Sequence, residues 1–222
     1  KAVYANIAKA EDVHGAVVNG AEGIGLFRTE FLYMDRNQAP GEDEQFEAYS
    51  SVAKAMGGRE VIIRTLDVGG DKHIPYLEIE KEENPFMGLR AIRYCLKNTE
   101  LFKVQLRALL RAACYGNIKI MLPLVCTEDE VIKAKSLLEE CKAELSAEGT
   151  EYKKVSKLGI MVETPAAGLV AERLAAVSDF FSIGTNDLTG YTMAADRGNN
   201  EVSNLYNSND PAVLKAIEIT VK

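Results

Sequence analysis

Residues 118–148, IKIMLPLVCTEDEVIKAKSLLEECKAELSAE, decide the fold. The first seven, Ile118 to Leu124, are almost all apolar and do not alternate with polar residues, as expected of a parallel strand buried on both faces. Thr127-Glu128-Asp129-Glu130 follows, a capping box whose acidic first turn suits the helix dipole. Val131, Ala134, Leu137, Leu138, Cys141 and Leu145 then recur at helical spacing and form one apolar stripe. The segment predicts a strand over 118–124 and a helix over 128–148, a single βα unit.

The same alternation runs outward in both directions. Short runs rich in Ile, Val, Leu and Phe predict strands over 3–8, 23–28, 61–67, 158–163 and 180–184. Helices are expected around 11–19, 43–57, 87–115 (in two pieces), 166–176 and 211–221, with Pro165 and Pro211 in tolerated first-turn positions. Six strand-then-helix units without a hairpin signal predict an α/β fold with a parallel sheet, either doubly wound or a barrel. No linker or low-complexity stretch interrupts the 222 residues, so one domain over 1–222 is expected. The units average about 37 residues, and a complete eight-unit barrel at that spacing would need about 296. The chain therefore reads as two units short of a barrel.

Composition narrows the function classes. The net charge of −7, without a basic run, argues against nucleic acid or an anionic membrane as a partner. No apolar stretch approaches the length of a membrane span, and no signal peptide opens the chain, which predicts a cytoplasmic location. Cys95, Cys114, Cys126 and Cys141 have neither zinc-ribbon nor redox-pair spacing and read as reduced thiols, buried or on helix faces. With only His14 and His73, a histidine-rich metal site is excluded.

In parallel α/β folds, functional side chains collect at the carboxyl ends of the strands. Here those ends carry Arg28-Thr29-Glu30, the run Arg64-Thr65-Leu66-Asp67-Val68-Gly69-Gly70-Asp71-Lys72, Glu163-Thr164-Pro165 and Thr185-Asn186-Asp187, with Asp196-Arg197 beyond. Arginine forks grip phosphate or carboxylate in two places, and a carboxylate pair suits a hard ion such as Mg²⁺. Each feature also has an ordinary explanation. An arginine can be an ion-paired surface residue, and Glu163 the first-turn acid of the next helix. Gly69-Gly70 can be a plain turn, and Asn186-Asp187 a helix cap. Four such features at four strand ends favour a site.

Those residues lie in strings that resemble one family: GAEGIGLFRTEFLYMDR (20–36), IIRTLDVGGDK (62–72), EENPFMGLRAIR (82–93), GIMVETPAA (159–167) and FFSIGTNDLTGYTMAADRGN (180–199). They match the carboxyl-terminal domain of the phosphoenolpyruvate-utilising enzymes. Phe27 and Phe31 around Arg28-Thr29-Glu30, and the tyrosine and ADRGN after Thr-Asn-Asp, are similar to the Enzyme I family of bacterial sugar phosphotransferases. The resemblance implies a TIM-type (β/α)₈ barrel of which this chain supplies about six units. It implies Arg28 and Arg64 on the substrate phosphate, Arg90, Asn186 and Arg197 as further substrate contacts, and Glu163 and Asp187 as ligands of Mg²⁺, or Mn²⁺ in its place.

It also implies phosphoenolpyruvate as substrate, a phosphocarrier protein as partner, and a homodimeric enzyme. A pyruvate phosphate dikinase or phosphoenolpyruvate synthase fragment, and a non-catalytic ligand sensor or dimerisation module, are the alternatives. Gly190 stands where the family usually has glutamine, and Asn207-Ser208-Asn209-Asp210 replaces a more apolar or histidine-bearing stretch. The Gly-x-Cys-Gly-Glu segment with the family's catalytic cysteine, and the phosphohistidine domain, are not in this sequence. None of the four cysteines, and neither histidine, lies in such a context, so no catalytic residue is expected here. The chain by itself is expected to transfer no phosphoryl group and to leave its first and sixth strands as open edges.

Overall fold

The strands pair in the order in which they occur. In the computed structural model, which describes residues 1–69, 74–77, 79–154 and 156–222, the strands are β1 (Tyr4–Ile7), β2 (Gly23–Arg28), β3 (Glu60–Arg64), β4 (Asn117–Leu122), β5 (Lys157–Val162) and β6 (Phe181–Ile183). All five pairings are parallel and the sheet order is β1-β2-β3-β4-β5-β6. A doubly wound sheet would reverse its strand order at a switch point. The unbroken order instead curls the sheet into a half-barrel, with β1 and β6 as its two edges among the described residues.

The intervening helices are α1 (Asp12–Val18), α2 (Glu42–Ala55), α3 (Ile92–Lys97), α4 (Thr99–Ala112), α5 (Glu128–Ala147), α6 (Pro165–Leu169), α7 (Ala171–Val177), α8 (Thr185–Met193) and α9 (Pro211–Val221). The capping box of α5 forms as expected, with the Thr127 side chain accepting from the Glu130 N–H while the Glu130 side chain accepts from the Thr127 N–H. Pro165 and Pro211 occupy first-turn positions behind Thr164 and Asp210, whose side chains cap α6 and α9.

Strand side chains sort into two layers, because successive residues point to opposite faces. Phe27, Val61, Ile63, Ile120, Leu122, Leu158, Ile160 and Val162 join the main core beneath the helices, with Val52, Leu106, Leu109 and Leu138. Ile62, Met121 and Met161, with Leu26 and Phe180, make a separate smaller cluster on the inner face. The β2–β3 register shifts between Ile24 and Phe27, which lets both of those residues reach the outer core.

The structure corrects several boundaries. The third strand stops at Arg64, not 67, and the sixth spans three residues. The helix expected over 166–176 is two short helices broken at Val170 (φ −113°, ψ 24°). The two-piece helix begins at Ile92, after a single 3₁₀ turn at Pro85–Met87. The expected helices did not include 185–193, where α8 forms, and a helix there entered only through the cap explanation of Asn186-Asp187. The Asn207–Asp210 stretch is turn and cap chemistry: Asn207 Oδ1 accepts from the Asn209 N–H at 3.0 Å and Asp210 caps α9. All four cysteines are free, Cys95 and Cys141 buried, Cys114 and Cys126 partly so; Cys126 lies just before α5. No helix of the described residues is long and apolar enough to cross a membrane.

Gly159 shows how closely β5 and β6 meet. A Cβ there would lie 2.5 Å from the Phe180 carbonyl oxygen, a backbone atom that cannot swing aside. Gly159→Ala is expected to destabilise the fold by about 1–3 kcal/mol, the usual range for overpacking. An unchanged urea midpoint would refute that close approach.

Candidate functional site

Two residues beyond the inner apolar floor, the same face of the same strands turns charged. Arg28 follows Leu26 on β2, Arg64 follows Ile62 on β3, and Glu163 follows Met161 at the end of β5. Arg28 and Arg64 are register partners, so two cationic side chains start about 4.8 Å apart. Arg28 stands over the Phe31 ring, its Cζ 4.9 Å from the centroid. Among the described residues, its Nε and that of Arg64 are buried without a hydrogen-bond partner. Buried donors are seldom left unmatched, and a pair of them at one strand level asks for an anion.

From Arg64 a chain of alternating charge crosses the site. Its Nη2 donates to Glu30 Oε1 at 2.8 Å, and its Nη1 lies 3.2 Å from Asp67 Oδ2. Asp67 also accepts from Arg90 Nε at 3.2 Å, and Arg90 Nη2 donates to Asp187 Oδ2 at 2.7 Å. Arg90 Nη1 donates to the Tyr191 hydroxyl at 3.2 Å, and its guanidinium lies over the Phe86 ring at 5.4 Å. Burial works against the charge on Arg90, but Asp67 and Asp187 outweigh it and strengthen proton binding.

Glu163 is nearly as buried as the core, and Oε1 accepts from the Leu124 N–H at 2.7 Å. Leu124 has φ +56°, a left-handed conformation that costs a branched side chain about 1–2 kcal/mol, and it points that N–H at Glu163. Burial, then the like charges of Asp67 and Asp187, push the Glu163 carboxyl up to about 8. Among the described residues, Glu163 and Asp187 each hold one oxygen in a hydrogen bond and keep the other out of it. A Cβ at Gly184 would come within 2.7 Å of Glu163 Oε2, so glycine leaves that oxygen its space.

A divalent cation fits these residues: two hard oxygen ligands, and a mutual repulsion that a cation would relieve. Among the described residues, no three acidic, histidine or cysteine side chains form a ready cage. An ion here would take its remaining oxygens from water and substrate.

Asn186 and Arg197 are exposed and line a cleft of about 440 Å³ with Asp187, Gly190, Tyr191 and the Pro85–Met87 turn. Asn186 offers its backbone carbonyl to the Tyr206 hydroxyl at 2.8 Å. Among the described residues, a Cβ at Gly190 would meet only the Ala195 carbonyl oxygen at 3.5 Å and a Tyr206 ring carbon at 3.8 Å, so the cleft has room for a side chain there. Asp71, Lys72 and His73 lie outside the described residues.

A family model described as "PEP-utilising enzyme, PEP-binding domain" matches residues 1–222. The chain belongs to this family.

Among curated relatives, the "Phosphoenolpyruvate-protein phosphotransferase" of Listeria monocytogenes is 54% identical over 217 residues, 98% of this chain. That of Geobacillus stearothermophilus is 55% identical over 213 residues, 96% of this chain, and that of Bacillus subtilis 52% over 218, or 98%. The chain spans only 37–38% of the length of these relatives.

Within this PEP-binding domain, the structure brings Arg28, Arg64, Arg90, Glu163 and Asp187 to one end of the sheet and leaves Asn186 and Arg197 at the cleft beside them. The cap explanation for Asn186-Asp187 is not realised, since α8 has no side-chain cap and Asp187 bonds Arg90. Nor does Glu163 serve a helix start, because Thr164 caps α6. Glu30, Asp67, Phe86 and Tyr191 were not singled out from the sequence as site residues. The acids stand within three residues of Arg28 and Arg64, a local signal; Tyr191 served only as a mark of the family, and Phe86 only as part of a matching string. Cys126 lies on a second cleft, of about 350 Å³, where Arg93 Nη2 donates to its sulfur at 3.5 Å.

Proposed function

We propose that the site holds phosphoenolpyruvate, its phosphate on Arg28 and Arg64 and its charge further neutralised by Mg²⁺ on Glu163 and Asp187. The observation that carries this reading is the register pair of arginines whose buried Nε groups have no hydrogen-bond partner among the described residues. On this reading Asp67 and Glu30 fix the Arg64 fork, and Arg90, held between Asp67 and Asp187, adds a third cation. Asn186 and Arg197 approach the substrate from the cleft. Phosphoryl transfer passes through a loose transition state, so the work of these residues is positioning and charge neutralisation. The bound cation would draw negative charge away from the phosphoryl oxygens.

The named relatives favour a phosphotransferase over a dikinase or synthase. We place this domain, over 1–222, in a cytoplasmic, dimeric phosphoenolpyruvate-protein phosphotransferase. That enzyme would pass the phosphoryl group through a histidine of its own to a carrier protein for sugar uptake. No residue of this chain is assigned as the phosphoryl acceptor or the enolate acid, so the chain alone should not turn over.

Titration calorimetry of phosphoenolpyruvate into the chain tests the reading. Binding is expected with Mg²⁺ or Mn²⁺ and is expected to vanish with EDTA. Equal binding in both would sink the metal assignment, and no binding in either would sink the substrate.

A further inference from the structure

Gln105 sits where the helix pattern calls for an apolar residue. On the buried stripe of α4 it falls between Phe102 and Leu106, and it is fully buried. Its Oε1 accepts from the Leu66 N–H at 2.9 Å. Its Nε2 donates to Thr29 Oγ1 and to the Tyr49 hydroxyl, each at 3.1 Å. The Thr29 hydroxyl in turn donates to the Arg64 carbonyl oxygen at 2.8 Å. Both donors and the acceptor of the amide are therefore used.

The placement of these partners matters more than their number. Thr29 directly follows Arg28, and Leu66 lies two residues after Arg64. The β2–β3 register ends at the Arg28–Arg64 pair. Beyond it, the Gln105 side chain from the helical layer joins the Thr29 hydroxyl, just past β2, to the backbone leaving β3, and so holds in place the hydroxyl that itself bonds the Arg64 carbonyl. A fully satisfied buried polar link of this kind is rigid, because every alternative leaves a group unpaired in a low-dielectric interior.

We infer that Gln105 is a positioning residue that sets the gap between Arg28 and Arg64, and hence the fit of the anion between them. The inference rests on the reading that these arginines receive the phosphate. It differs from a purely structural role in what it says about affinity.

Gln105→Met keeps the side chain's length and removes all three hydrogen bonds. It is expected to weaken phosphoenolpyruvate binding in Mg²⁺ by about tenfold, the worth of one charge-assisted hydrogen bond no longer aligned. Thr29→Val cuts the link one step nearer the arginines and should weaken binding by a similar factor, with no further loss in the double variant. Tyr49→Phe removes a different branch of the network. It should lower the thermal midpoint while leaving affinity within about twofold, as an interaction away from the strand ends would.

Gln105→Met that is folded by circular dichroism and binds like the parent overturns the inference and leaves the anion site standing. If Gln105→Met fails to fold, Thr29→Val decides: unchanged affinity overturns the inference. Affinity falling equally in Tyr49→Phe overturns it too, since that would be general loosening. Absence of binding by the unmutated chain would instead overturn the phosphoenolpyruvate reading on which all of this rests.

Discussion

Arg64→Lys is expected to weaken phosphoenolpyruvate binding, and turnover of the complete enzyme, by about ten- to hundredfold, although the charge is kept. The guanidinium reaches Glu30 through Nη2 and Asp67 through Nη1, which leaves Nε over as a third donor direction. A lysine ammonium is a single point on a flexible stem and cannot face two acids and an anion in fixed directions. Loss of one charge-assisted hydrogen bond is worth about 1.5–3 kcal/mol, which gives the range stated. The site is also nearly dry, with Arg64 only 6% exposed, so water cannot replace the missing donor cheaply. Calorimetry on the chain and steady-state kinetics on the complete enzyme both check it. Parent-like values for the lysine variant would show that Arg64 does not meet the substrate.

Asp67→Asn is expected to have the largest effect on stability. Asp67 is 1% exposed and lies between Arg64 and Arg90, both buried. The amide keeps the shape but removes the charge that both guanidinium groups face. Breaking a buried ion pair by neutralising one partner leaves uncompensated charge in a low-dielectric site and costs about 3–5 kcal/mol. Glu30 and Asp187 still neutralise one arginine each, which argues for the lower part of that range. A urea titration with an unchanged slope and a lowered midpoint is the expected outcome. A loss below about 1 kcal/mol, the scale of an exposed pair, would mean that water screens the cluster more than its burial indicates.

Much of the fold could be read from local order. Each of the six strands coincides with a run of apolar residues recognisable by composition alone, three of them starting one polar residue earlier at Glu60, Asn117 and Lys157, and the capping box marked the start of α5 to the residue. Both signals are local: they depend on neighbours a few positions apart. The choice between a doubly wound sheet and a barrel was not local. It depends on which strands pair, and the parallel pairing in chain order appears only once the helices are laid against the outer face. The helix over 166–176 failed for a related reason. Its apolar spacing is continuous, but the chain breaks at Val170. In α8, Thr and Gly are poor helix formers, so propensity gave little notice of the helix that follows β6.

The site divides in the same way. Arg28, Arg64 and Glu163 were legible because strand ends are where a parallel fold exposes side chains, and a strand's period of two places them with the inner face. Asp187 was legible as a residue type in a family string, but its ion pair with Arg90, 97 positions earlier in the chain, was not. The same holds for Gln105, which reads as a flaw in an apolar stripe until Leu66 and Thr29 are brought to it. Sequence by itself therefore determined the parallel α/β class, the strands and the residue types that meet an anion and a cation. The six barrel units were implied by the family resemblance and are present in the sheet, whereas tertiary structure alone decided the alternating chain of buried charge and the strained Leu124 amide aimed at Glu163. The reason is physical: apolar periodicity and capping act between near neighbours. Strand order, buried ion pairs and backbone strain depend on contacts between residues far apart in the chain, which no local pattern records.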